Sequence, residues 1–210
     1  MTDGNVLDIL GLYYQFKIKN YEKMKKYYLM AIELKNNHAM FNFGNYYDDI
    51  EHNYEEMIKY YLMAIELKNS NAMNNLGYYY YIEKNYNEMK KYCLMAIEFN
   101  NLYAMNNLAY YYYIEKDYNE MKKYYLMAIS LNDALAMRKL CCFYEQYMQH
   151  YLLRQINSTI AIEKVEELEK NNFLGVKIFR ELTEYCFNPQ RLLKLCNIYD
   201  IELNDYMDII

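Results

Sequence analysis

The chain reads as an all-α protein: a right-handed α-solenoid of stacked antiparallel helix hairpins, closed by a helical C-terminal cap. Three observations predict this. One block of sequence occurs four times, most clearly as residues 53–84 (NYEEMIKYYLMAIELKNSNAMNNLGYYYYIEK) and 85–116 (NYNEMKKYCLMAIEFNNLYAMNNLAYYYYIEK), with similar blocks starting at Asn20 and Asp117. Inside each block the apolar residues fall at helical spacing. A capping signal stands before each second helix. A fixed period of this size marks a stacked repeat array, held together by contacts between neighbours.

The first helix of each copy carries one apolar stripe. Met73, Leu76, Gly77 and Tyr80 follow the i, i+3, i+4, i+7 pattern of a single helical face. Met105, Leu108, Ala109 and Tyr112 repeat it, as do Met40, Phe43, Gly44 and Tyr47, and more loosely Leu7, Leu10, Gly11 and Tyr14. The small third residue admits close approach of another helix. The turn that follows is written as Asn53 with Glu56, Asn85 with Glu88 and Asp117 with Glu120, which is capping-box spacing. Asn20 is followed by Lys23, so the first copy lacks the reciprocal bond.

The second helix then places Met89, Cys93, Ala96 and Phe99 on one side, or Met121, Tyr125, Ala128 and Leu131. The run Leu-Met-Ala-Ile in all copies predicts burial on several sides. Spacing drifts by one residue: Ala39 to Ala72 is 33 residues, whereas Ala72 to Ala104 is 32. The additional residue is expected in the turn before Asn53, and the same surplus separates Leu10 from Tyr21.

The array is expected over residues 5–146, about four and a half helix pairs, with 147–210 as a helical cap or small module. In that last segment, residues 158–170 have helical spacing at Ile162, Val165 and Leu168, and Asn188-Pro189 is a helix start signal.

Composition bounds the function. A net charge of −5 argues against a dedicated nucleic-acid binder, which draws its affinity from clustered Lys and Arg. Five cysteines, with no C-x-x-C and no secretory leader, predict a reducing, cytoplasmic setting. No apolar run is long enough to predict a membrane span. The three histidines lack ligand spacing, and no phosphate-binding, dinucleotide, zinc-protease or nucleophile-elbow motif occurs, so neither a cofactor, a metal nor an enzyme is predicted.

These repeats resemble the tetratricopeptide repeat and its relative, the Sel-like repeat. Met73-x2-Leu76-Gly77-x2-Tyr80 matches the tetratricopeptide opening with Met in place of Trp, and Met57, Tyr61 and Ala64 match the second helix. The residues from Met63 to Gly77 look like the short Sel-like link, while the hairpin loop is shorter than Sel-like loops usually are. The usual Trp and the Pro that ends the repeat are missing.

The resemblance implies a non-catalytic scaffold or adaptor, with first helices lining a concave groove for a peptide or protein partner. Carried onto this chain, the groove positions are Asn74, Tyr78 and Tyr81 in one copy and Asn106, Tyr110 and Tyr113 in the next, with Asn75 and Asn107 beside them. The flanking copies place Phe41, Asn45 and Asp48 before, and Arg138, Cys142 and Glu145 after; Arg138 and Lys139 make a local positive pair. Asn offers both donor and acceptor to an extended backbone, and Tyr adds rigid area with a polar tip. Two other readings stay open. One is a structural protein that self-assembles into homo-oligomers. The other binds single-stranded RNA by tyrosine stacking.

Overall fold

In the computed structural model, residues 3–143 are described; the expectations for 144–210, including the C-terminal cap, lie outside them. The helices are α1 (Gly4–Leu12), α2 (Tyr21–Glu33), α3 (Asn37–Asp49), α4 (Tyr54–Glu66), α5 (Ser70–Ile82), α6 (Tyr86–Ile97), α7 (Leu102–Ile114) and α8 (Tyr118–Ser130). A further helix, α9, is described over 134–143. Among the described residues there is no strand. The chain divides into two compact units, Met1–Ala104 and Met105–Ile210.

In the first unit, successive helices pair as hairpins: α1 with α2, α3 with α4, and α5 with α6. The hairpins stack through α2 on α3, α4 on α5 and α1 on α3, as a solenoid of helical hairpins requires. The predicted stripes form the seams. Leu7, Met24, Tyr28, Ala31, Phe43 and Tyr60 pack in one cluster; Met40, Met57, Tyr61, Ala64, Leu76 and Tyr92 pack in the next. Each cluster draws residues from two neighbouring hairpins, so an isolated hairpin would leave its seam exposed. In the second unit Met105, Leu108, Met121, Ala128, Met137 and Leu140 are buried, and Tyr112 stacks on Tyr124 at 5.7 Å.

Small residues stand where helices meet. A Cβ on Gly11 would lie 2.3 Å from the Tyr28 ring, one on Gly44 2.6 Å from Tyr61, and one on Gly77 2.8 Å from the Cys93 sulfur. Cys93 is thus a packed filler, its thiol pushed up to about 12 by burial.

Turns follow one design. Every described turn between helices contains a residue in the left-handed region: Lys19, His52, Lys84 and Lys116 within hairpins, and Lys35, Lys68, Asn100 and Asn132 between them. None is glycine. An Asn or Asp follows each and caps the next helix.

Three expectations need correction. Asn53, Asn85 and Asp117 do accept from the N–H of Glu56, Glu88 and Glu120, but the glutamates do not return to the cap. The cap N–H groups donate instead to Tyr47, Tyr80 and Tyr112 at the end of the preceding helix. Glu56, Glu88 and Glu120 are thereby released to pair with Lys59, Lys91 and Lys123, which lie over the rings of Tyr60, Tyr92 and Tyr124.

The surplus residue is also handled in two ways. Before Asn53 it lengthens the turn, as expected, and places Glu51 against the Tyr46 hydroxyl and 3.1 Å from Lys25 Nζ. In the first copy it is absorbed inside the helix, as a π-helical turn over Tyr13–Ile18. Either way the cap N–H reaches six residues back (Asn20 to Tyr14, Asn53 to Tyr47) rather than five (Asn85 to Tyr80).

Finally, Phe99 and Leu131 are not core residues. They are 43% and 40% exposed, because the left-handed turns at Asn100 and Asn132 end the helices before them. Within the Leu-Met-Ala-Ile run, Ala31, Ala64, Ala96 and Ala128 are fully buried but Leu29, Leu62 and Leu94 face solvent.

The caps between hairpins perform a second task that periodicity did not show. Asn69 Oδ1 accepts from Asn71 and Ala72 N–H at 3.1 and 3.0 Å, while its Nδ2 donates to the Asn37 carbonyl of the previous hairpin at 3.2 Å. Asn36 reaches Asn5, and Asn101 reaches Ser70 and Asn71, in the same manner. Asn69→Asp retains the acceptor and loses the tie, whereas Asn69→Ala loses both. We expect a loss of roughly 1 kcal/mol for Asp and roughly 2 for Ala, read as the difference in thermal unfolding. Equal losses would show that the inter-hairpin bond contributes nothing.

Candidate functional site

Helical geometry puts i, i+4 and i+7 on a stripe beside the core stripe. On α5 the stripe holds Asn74, Tyr78 and Tyr81, and on α7 it holds Asn106, Tyr110 and Tyr113. The asparagines and tyrosines behave differently.

The asparagines are partly engaged within the fold. Asn74 is only 8% exposed, and its Nδ2 donates to Asn75 Oδ1 at 3.2 Å. Asn75 donates to Asn45 Oδ1 at 3.2 Å and to the Tyr61 hydroxyl at 3.3 Å, and that hydroxyl donates to Asn45 at 2.6 Å. In the second unit Asn106 donates to Asp133, and Asn107 is half-buried. Asn74, Asn75 and Asn106 thus hydrogen-bond within the fold, a point the sequence pattern could not separate from ligand contact.

An element upstream extends the polar seam. Asn42 Nδ2 donates to Asp8 Oδ1 at 2.9 Å, and the Tyr28 hydroxyl donates to Gln15 at 2.7 Å. Burial raises the Asp8 carboxyl above its ordinary range, and the Asn42 bond opposes that shift. Asp8 and Gln15 are 8% and 7% exposed. Sequence reasoning missed both; the signal was a polar residue adjoining the Leu7 stripe.

The tyrosines divide into two classes. Tyr28, Tyr61 and Tyr125 are core residues whose phenols are raised, chiefly by burial, Tyr125 to about 12. Tyr78 and Tyr110 are 52% and 44% exposed. Each stacks on the tyrosine three residues later: Tyr78 on Tyr81 and Tyr110 on Tyr113, both with ring centroids 6.4 Å apart. The two copies thus present the same ring pair, outward, at the same spacing.

In the second unit three expected site residues come together. Tyr110, Tyr113 and Lys139 line a cavity of about 150 Å³ with Met121, Tyr125, Cys142 and Phe143. Arg138 is exposed and does not line it. Among the described residues no group of three His, Cys, Asp or Glu side chains is placed to hold a metal ion, and no helix is long and apolar enough to cross a membrane.

Comparison with known proteins agrees with this geometry. A family model of the tetratricopeptide repeat matches residues 102–134, the span of α7 and α8. No curated protein sequence matched the chain. Among solved structures, a Sel1 repeat protein from Oxalobacter formigenes superposes with a TM-score of 0.59 and 22% identity, covering 67% of this chain and 63% of that one. A protective antigen from uropathogenic Escherichia coli strains, displaying an SLR fold, gives a TM-score of 0.60 and 18% identity, covering 93% of this chain and 46% of that one. The chain thus spans less than two thirds of the length of either. At these identities the likeness concerns fold. With four copies of one sequence block, a tetratricopeptide match over α7 and α8 and two helical-repeat neighbours, the chain has a helical-repeat fold similar to that of tetratricopeptide and Sel1 repeat proteins.

Proposed function

We propose that the chain is a non-catalytic interaction scaffold for a peptide or protein partner, contacted by the first-helix tyrosines of the third copy in one unit and of the fourth copy in the other. Repeat folds of this type generally serve protein–protein contact, which sets the class but names no partner. The observation that carries the reading is the outward tyrosine pair, Tyr78 with Tyr81 and Tyr110 with Tyr113. Packing within the hairpins accounts for buried rings such as Tyr28 and Tyr61, but not for Tyr78 and Tyr110. Exposed, rigid, amphipathic rings on a built scaffold have the composition of a contact surface.

Tyr78→Ala is the direct test. Tyr78 is half exposed, so its loss is expected to change thermal stability by no more than about 0.5 kcal/mol. Partner recovery in affinity capture is expected to fall sharply. A variant that melts normally and still captures every wild-type partner would refute the reading. A sedimentation coefficient that climbs with concentration, and falls back in the variant, would shift the assignment to self-assembly.

A further inference from the structure

The cavity in the second unit has a composition that narrows what fits it. Its floor is Met121 and Tyr125, which are 0% and 4% exposed. Its walls are rings: Tyr113 meets Phe143 edge-on at 6.1 Å and Tyr110 in a stack at 6.4 Å. Lys139, Cys142 and Phe143 lie at i, i+3 and i+4 on α9, so one helical face supplies all three. Lys139 and Cys142 are exposed and stand at the opening. A void of about 150 Å³ walled largely by rings has room for one benzene-sized group.

Charge then selects the flank. Lys139 is the one charged residue in the lining, and no carboxylate faces it there. Among the described residues it has no ion-pair or hydrogen-bond partner. By contrast, Lys59, Lys91 and Lys123 on the second helices are each satisfied by a glutamate one turn away. Tyr110, Tyr113 and Tyr125 all belong to the same lining, and burial raises the Tyr125 phenol above its ordinary value. An ammonium beside a cavity of rings and a buried methionine suits an apolar group with an anion next to it.

We infer that this cavity is an anchor pocket for an acidic partner segment. One Leu- or Phe-sized side chain enters it, and Lys139 pairs with an Asp or Glu carboxylate next to that residue. The assignment rests on the partner-binding reading above and supplies the chemistry of what binds.

The test pans the full chain, and in parallel its Lys139→Glu variant, against a displayed library of random peptides. Wild type is expected to enrich Leu or Phe adjacent to Asp or Glu. The variant is expected to keep the apolar residue and enrich Lys or Arg beside it. A second readout needs no substitution. Alkylation of Cys142 by iodoacetamide, followed on its own peptide by mass mapping, is expected to slow roughly tenfold with the selected peptide at ten times its Kd. Enriched peptides without an acidic preference, or with a preference unmoved by Lys139→Glu, would overturn the anchor assignment. So would peptides that bind while Cys142 reacts at its free rate; in that case the partner-binding reading survives and the pocket does not. Failure to enrich any peptide would count against both.

Discussion

Phe43→Ala is expected to cost about 3–5 kcal/mol, the largest effect of any single truncation in the first unit. Phe43 is 1% exposed and sits within ring-contact distance of four tyrosines: Tyr60 at 4.6 Å, Tyr47 at 4.9 Å, Tyr28 at 5.7 Å and Tyr46 at 6.1 Å. Tyr28 belongs to the hairpin before it and Tyr60 to the helix after it. Removing the ring therefore opens a cavity and uncouples two hairpins at once. In a one-dimensional array a weakened interface also erodes cooperativity. Thermal or urea unfolding followed by far-UV circular dichroism should show a lower midpoint and a broader transition. A loss below about 1 kcal/mol would mean that the four tyrosines close over the gap.

Gly44→Ala should destabilise in spite of a helix propensity that favours Ala by about 1 kcal/mol. The new Cβ would fall 2.6 Å from Cδ1 and 2.7 Å from Cε1 of Tyr61. Tyr61 is 1% exposed, and its hydroxyl bonds Asn45 and Asn75, so the ring has nowhere to swing without breaking those bonds. Overpacking of this kind costs roughly 1–3 kcal/mol, which leaves a net loss of up to about 2 kcal/mol once propensity is credited. The decisive comparison is with an exposed helical control such as Tyr78→Ala in the same melting series. A gain in stability for Gly44→Ala would show that the α3–α4 contact is looser than its geometry implies.

The contrast between what the sequence disclosed and what it hid has a physical cause. Core stripes are periodic, so Met73, Leu76 and Gly77 could be read as buried, and they are. Close approach selects small residues, so Gly11, Gly44 and Gly77 were legible too. Hydrogen-bond exchange is not periodic. Whether Glu88 returns to its cap or pairs with Lys91 depends on the route of the preceding helix end, and that route is set by the left-handed turn at Lys84. Helix ends decided the fate of Phe99 and Leu131 for the same reason. A surplus residue can be taken up in a turn or inside a helix, and the helical period does not say which; the first copy took the π-helical solution. On the candidate face, the spacing of Tyr78, Tyr81, Tyr110 and Tyr113 was visible, but the confinement of Asn75 by Asn45 and Tyr61 is a contact across 30 and 14 residues, which no local pattern encodes.

The eight described turns hold a latent margin. Lys, His and Asn sit in a backbone basin that L side chains enter at about 1 kcal/mol, while the few glycines were reserved for helix contacts or lie elsewhere. The architecture thus tolerates a firmer version of itself, reached junction by junction with glycine, in which no packed ring and no outward tyrosine is disturbed. Rigidity and recognition are written at separate addresses in this molecule, and either could drift while the other is kept.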